Sequence, residues 1–471
     1  MRCLEQLSLL LVLLLVAGCS KSARNNPPDD TSVKLDVTNL PIVWLDVDGD
    51  SIKRDGRIGA RMTILHNGDG QLNYADTITH AGQHIDYQGY IALRYRGNST
   101  FNNSPKKAYS LRTLDEPLHR SHNKKKVNLL GMGKDSNWAL LAPYSDKSMM
   151  RDLLAFEISR PWMEYTPQGR YCELFLDGIY YGVYILAEVV SKGKHRLNLD
   201  DPGTRGDELT GGYLMEVDCN DAVAHVSKFP PVTAAGEPLK DRRILFQYKS
   251  PDYEEMDTAQ INYINHRIDM MEAALARGDD YSELIDVTSF VDYQLAMEFG
   301  HNVDAYRLSG KFFKRCDSQD PRFKMVLWDM NLAYGNSSRL EGWRTDTWMY
   351  QSNDLMYREG EVYLIPFWWY KLNSDPHYTA LIRERWAQYR RSNLQEDRLM
   401  SVVDSLARVL TVQGAEQRNS QAWPRWGVKV WPNYYVASDF DDEVSHLKQW
   451  LHDRLAWMDQ QLRYNDSKHN Q

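Results

Sequence analysis

A chain of 471 residues with 42% hydrophobic residues, 14 Trp and 28 Tyr has ample material for a sizeable core, which excludes a disordered chain. Its net charge of −8 argues against a dedicated nucleic-acid binder. The length allows two to four domains, or one large two-lobed enzyme.

The N-terminus carries Arg2, an apolar run from Leu7 to Ala17, and the ending Val16-Ala17-Gly18-Cys19. An apolar run this short, ending in small residues, reads as a secretory signal over 1–18 rather than a permanent span. The Val-Ala-Gly-Cys ending resembles the bacterial lipobox. That resemblance implies a lipidated Cys19 and a protein anchored in a membrane of the cell envelope, at the periplasmic face or the cell surface; an ordinary signal peptide cut nearby is the alternative. Residues 19–38, polar and Pro-containing, read as a linker. With Cys3 removed and Cys19 modified, Cys172, Cys219 and Cys316 remain. They form no CxxC pair, so no zinc site or disulfide framework is indicated, and one disulfide among the three stays open.

Residues 39–89 read as a β-rich N-terminal extension, with strands at Ile42–Leu45 and Ala60–Leu65 around an acidic turn, Asp46-Val47-Asp48-Gly49-Asp50. The Gly is misplaced for a calcium loop and Arg57 stands where the closing Glu belongs. Tyr90–Tyr95 alternates as a strand, and Arg96-Gly97-Asn98-Ser99-Thr100 is a glycine-containing turn. If the run from Pro105 to Arg112 is a strand, Lys107 shares a face with Tyr109 and Leu111 and needs an anionic partner, while Lys106 faces solvent.

Ser145-Asp146-Lys147-Ser148 opens a helix signal that runs to Arg160 and carries Glu157. Tyr171–Leu176 and Tyr180–Glu188 are strands around an Asp177-Gly178 hairpin turn. Tyr213–Val217 and Ile244–Tyr248 are further strands, and 220–240 reads as a surface insertion. After Pro251 the pattern turns helical: Ala259–Arg277, a buried helix at Phe290–Phe299, then Ala380–Tyr389, Gln395–Leu410 and Glu443–Leu462. Tryptophans at helical spacing in this half are read mainly as core.

Between those helices, Lys311–Arg315 and Phe323–Trp328 read as two strands joined by a turn-rich loop. Asp304 precedes the first and Asp329 follows the second, so a hairpin brings the two carboxylates to one end, an arrangement suited to acid–base work or a divalent metal. A β-rich half followed by a helical half, with paired aspartates just inside the latter, is the plan of a two-lobed nucleotide phosphotransferase.

Several blocks in register carry a family resemblance. They are Arg96-Gly97-Asn98-Ser99-Thr100 with Pro105-Lys106-Lys107-Ala108-Tyr109, Leu140 to Ser148 with Met150-Arg151, Tyr180 to Tyr184 with Ala187-Glu188, Asn302-Val303-Asp304, and Trp328-Asp329-Met330-Asn331-Leu332. The chain resembles the spore coat protein H (CotH) family of atypical kinases. The resemblance implies an α+β, two-lobed protein-kinase-like fold over 90–465, with a β-rich N-lobe at about 90–255 and a helical C-lobe at about 256–465. It implies phosphate transfer from ATP to Ser, Thr or Tyr hydroxyls of a protein substrate. Asp304 would be the catalytic aspartate and Asp329 the ligand of Mg²⁺ or Mn²⁺. Lys107 or Lys106 would contact phosphate, with Lys107 favoured, Glu188 would lie where the nucleotide is recognised, and Glu157 could pair the lysine.

Two positions depart from the family pattern. Ser309 stands where the family often has a metal-ligating Asn, and Asn331 where it often has a second Asp, so the metal positions are Asp329, Ser309 and Asn331 with less charge than usual. A kinase-like surface lipoprotein without turnover, acting as a structural, adhesion or glycan-binding module, is therefore the alternative. A metal-dependent hydrolase is a third reading, disfavoured because no His-rich ligand set accompanies the aspartates.

Overall fold

The computed structural model describes residues 25–219 and 223–465. The 1–18 segment and Cys19 lie outside them. No helix among the described residues is long and apolar enough to cross a membrane.

Seven strands close into a barrel: β1 (Ile42–Asp46), β2 (Ile58–Leu65), β3 (Ile85–Arg96), β4 (Ala108–Leu114), β5 (Asn137–Leu141), β6 (Gly169–Leu176) and β7 (Ile179–Glu188). The order around the barrel is β6-β7-β5-β4-β3-β2-β1, and the parallel pairing of β1 with β6 closes it. The segment 39–89 thus supplies β1, β2 and the first residues of β3 to the same barrel as the strands downstream. Alternate residues point inward: Val43, Met62, Ile91, Leu111, Leu140, Leu174 and Leu186 share one buried cluster. The β6–β7 turn has Asp177 at φ 49° and Gly178 at φ 80°, the paired left-handed conformation that a two-residue hairpin of this twist requires. Between β5 and β6 runs α1 (Arg151–Ser159), packed on the outside of the barrel.

The rest of the chain forms a second body. Its sheet contains β8 (Tyr213–Val217), β9 (His225–Val226), β10 (Leu245–Ser250), β11 (Gly310–Lys314) and β12 (Phe323–Val326), antiparallel in the order β9-β10-β8-β11-β12. Around it lie α2 (Thr258–Arg277), α3 (Val287–Gly300), α4 (Phe367–Asn373), α5 (Pro376–Arg390), α6 (Glu396–Thr411) and, after α7 (Ala415–Ala422), which packs on barrel strand β7, α8 (Phe440–Gln461). A capping box between Asp257 and Gln260 starts α2, and left-handed Gly278 ends it. From Phe290 onward every residue of α3 is buried, which fits its apolar sequence, and it delivers the chain to the loop before β11. Several tryptophans of this half are core, with Trp368, Trp369, Trp386 and Trp450 buried, whereas Trp343 is exposed and stacks on Tyr434.

The chain is therefore α+β, as its sequence suggests, and the expected strands and helices recur within a few residues of their predicted bounds. Sequence pattern did not bring out β5 or α7. Cys172 and Cys316 are free thiols.

Candidate functional site

The predicted hairpin is β11–β12, with Lys311 opposite Val326 and Lys314 opposite Phe323. The loops at its open end carry Asp304 and Asp329, and both line one cavity of about 390 Å³ between the barrel and the second body. That volume is within the usual range of small-molecule sites.

Asn302 holds the two loops together. Its side chain accepts a hydrogen bond from the Asp304 amide (3.1 Å) and donates one to the Asp329 carbonyl oxygen (2.9 Å). Arg307, fully buried, fixes the Asp304 carboxylate at 3.1 Å while donating to Val303 O, Tyr363 O and Glu361. The backbone is left-handed at His301, Tyr306, Ser309 and Asp329, four non-glycine residues in these two loops. Such conformations cost energy and persist where surrounding contacts over-determine them.

The Asp329 carboxylate meets the Ser309 hydroxyl at 3.3 Å and the Asn331 side-chain amide at 3.0 Å. Burial, reinforced by Asp304, raises its pKa, with Arg96 acting the other way. Asp304, Asp329, Ser309 and Asn331 are thus brought together as expected. Among the described residues no three His, Cys, Asp or Glu side chains converge as a metal site. Two carboxylates with neutral oxygen donors still suit a hard cation such as Mg²⁺, which commonly takes one or two carboxylates and completes its shell from substrate phosphates and water.

The structure places four residues otherwise than expected. Lys107 does not line the cavity. Its Nζ donates to Phe101 O at 2.5 Å and sits over the Phe101 ring. Lys106 does line it, and is 1% exposed rather than solvated, with Nζ on Val183 O (2.5 Å) and Asn419 Oδ1 (2.7 Å). Strand β4 begins only at Ala108, so strand alternation does not govern either lysine. Glu188 is buried away from the cavity and bonded to Arg196, Tyr165 and the Gln168 amide. Glu157 is exposed and pairs with Arg160 at 3.0 Å.

Other charged residues of the cavity were not singled out by sequence. Asp152 on α1 accepts the Met330 amide at 2.8 Å, and burial, with Asp329 adding to it, pushes its pKa up to about 7. Glu216 on β8 is paired by Lys311 and Lys249; burial alone would raise its pKa, but the two lysines bring it down to about 2. Asp218, two residues on, is pushed up to about 7 by burial and by Glu216. Arg96, the last residue of β3, lies over the Trp328 ring at 5.2 Å. Only Arg96 left a trace in the sequence, as a charge ahead of the Gly97 turn. In the Ser145–Arg151 block Ser145 and Asp146 also line the cavity, and buried Arg151 binds Asp146 (2.6 Å) and Glu443 (2.9 Å), fastening α1 to α8.

A family model described as CotH kinase protein matches residues 93–458. No curated protein matches the chain.

Proposed function

The chain belongs to the CotH kinase protein family, and on that premise we propose that it is an atypical protein kinase moving the γ-phosphoryl group of ATP to a hydroxyl of a protein substrate. The observation that carries this reading is the convergence of Asp304 and Asp329 on one cavity, their loops joined through Asn302. The barrel with α1 would serve as the β-rich lobe and the second body as the helical lobe, with the nucleotide between them. Asp304, oriented by Arg307, would take the proton of a Ser, Thr or Tyr hydroxyl as that oxygen bonds to the γ-phosphorus and the bond to the ADP oxygen breaks. Asp329, with Asn331 and Ser309, would hold Mg²⁺ or Mn²⁺. Bound there, the cation would neutralise phosphate charge. Most of the acceleration would come from positioning and electrostatics. Cys19 would anchor the enzyme to a membrane of the cell envelope through lipid.

A second reading, a kinase-like surface protein without turnover, is favoured by one contact set. The Ser309 hydroxyl and the Asn331 amide satisfy Asp329 without a cation. Calorimetry of ATP binding with and without Mn²⁺ separates the two. The kinase reading expects cation-dependent ATP binding that Asp329→Ala removes; ATP binding indifferent to the cation favours the second reading, and no ATP binding defeats the first.

A further inference from the structure

Four basic residues line the cavity that holds Asp304 and Asp329: Arg96, Lys106, Lys249 and Lys311. Three have their donors engaged within the protein. Lys106 is held by Val183 O and Asn419 Oδ1. Lys311 is paired with Glu216, and Lys249 with Glu216 and with Gln247 Oε1 at 3.0 Å. Arg96 differs. Among the described residues its guanidinium makes no hydrogen bond and no ion pair. It rests on the Trp328 ring, and it feels Asp329, Asp152 and Glu216 only as surrounding charges.

Arg96 is a half-buried guanidinium resting on an aromatic face, in the wall of the cavity, with its donors unspent. That placement suits a planar fork that will meet an anion bidentately. Its position is also specific. Trp328 directly precedes Asp329, so the cation is fixed to the loop that carries the proposed metal ligand. On the other side it continues into Gly97, whose φ of 87° turns the chain sharply; a side chain there would collide with Thr100 Oγ1. Gly97, Asn98, Ser99 and Thr100 all line the cavity, so the turn lays its backbone along the same wall as Arg96.

We propose that Arg96, not either lysine of the Pro105-Lys106-Lys107 block, is the residue that grips the nucleotide's phosphates. This rests on the kinase reading above. It assigns Lys106 a structural role, clasping the barrel strand β7 to α7 through Val183 and Asn419, and it gives Lys107 no part in the site.

The test is calorimetry of the full chain against ATP, ADP, AMP and adenosine at fixed Mg²⁺. In the wild type, affinity should rise along the series from adenosine to ATP. Arg96→Gln should weaken ATP by roughly ten- to a hundred-fold, the range for a lost charge-assisted contact, while adenosine affinity stays unchanged. Lys107→Ala should leave the series as in the wild type. A full ATP preference in Arg96→Gln overturns the proposal, and so does an equal loss for adenosine and ATP, which would mark a merely structural residue. If Arg96→Gln does not fold, Arg96→Lys is read in the same series: ATP weakened selectively supports the proposal, and ATP and adenosine moving together overturns it. A wild type that binds no nucleotide defeats the kinase reading itself, and this assignment with it.

Discussion

The side-chain amide of Asn302 donates to the main-chain carbonyl oxygen of Asp329 at 2.9 Å. One residue of the first loop thereby holds the backbone of the second, and the same side chain accepts the Asp304 amide. The spacing between the two carboxylates is therefore set by a buried amide rather than by the β11–β12 hairpin alone. The contact from Asp152 on α1 to the Met330 amide adds a third tie, from the helix beside the barrel to the Asp329 loop.

Arg307 positions Asp304 and, of the other cavity residues, bonds only the main-chain oxygen of Tyr363. Arg307→Lys keeps the charge but cannot reproduce the contacts to Asp304, Val303 O, Tyr363 O and Glu361 together. The turnover number for phosphoryl transfer should fall about ten-fold or more, the size of effect expected from a misplaced catalytic group, with ATP affinity unchanged. Steady-state kinetics beside binding calorimetry checks the split.

Asn331→Asp replaces a hydrogen bond to Asp329 with a second negative charge. Without a cation the variant should melt at a lower temperature than the wild type, because like charges are then held side by side. With Mn²⁺ it should gain more: a ten-fold tighter site adds about 1.4 kcal/mol at saturating metal. Thermal melts with and without Mn²⁺ measure both signs.

Lys107→Ala should be nearly silent. Its half-buried side chain is spent on Phe101. ATP affinity and stability should both stay within about 0.5 kcal/mol of wild type, as for other substitutions away from buried networks. The same assay reads it directly against Arg96→Gln.

Glu272 offers a pH test remote from the site. It is buried on α2, bonded to Ser227 (2.7 Å) and Trp368 Nε1 (2.9 Å), and burial pushes its pKa up to about 7 from an ordinary 4.5. A carboxyl raised on folding contributes stability that is full below about pH 4.5 and lost as pH rises through 7. Glu272→Gln mimics the protonated form. It should match the wild type near pH 4.5 and exceed it at pH 8 by about 3 kcal/mol, read from denaturant melts at the two pH values.

Much of this was legible in sequence wherever the signal was local. Period-two alternation marked Tyr90–Tyr95 in β3, the Asp177-Gly178 turn marked β6 and β7, and the β-formers on either side of Cys316–Pro321 marked the hairpin that carries the two aspartates. What failed was non-local or marginal. Alternation assigned faces to Lys106 and Lys107, but the strand starts one residue later, and burial under Asn419 comes from a helix more than 300 positions away. The parallel pairing of β1 with β6 has no sequence signature, so 39–89 read as an extension instead of barrel wall. Glu188 sits in a matching motif, yet Arg196 claims its carboxylate. Arg96 lay in plain view as the first residue of a glycine turn; only the commitments of the competing lysines single it out.

The most direct test is single-turnover transfer of radiolabelled γ-phosphate from ATP in the presence of Mn²⁺, comparing the wild type with Asp304→Asn and scoring label on protein hydroxyls. The account predicts acid-stable label on the wild type and none on Asp304→Asn, while both bind ATP with equal affinity. Equal labelling of the two proteins, or ATP bound by the wild type with no label transferred, would contradict it.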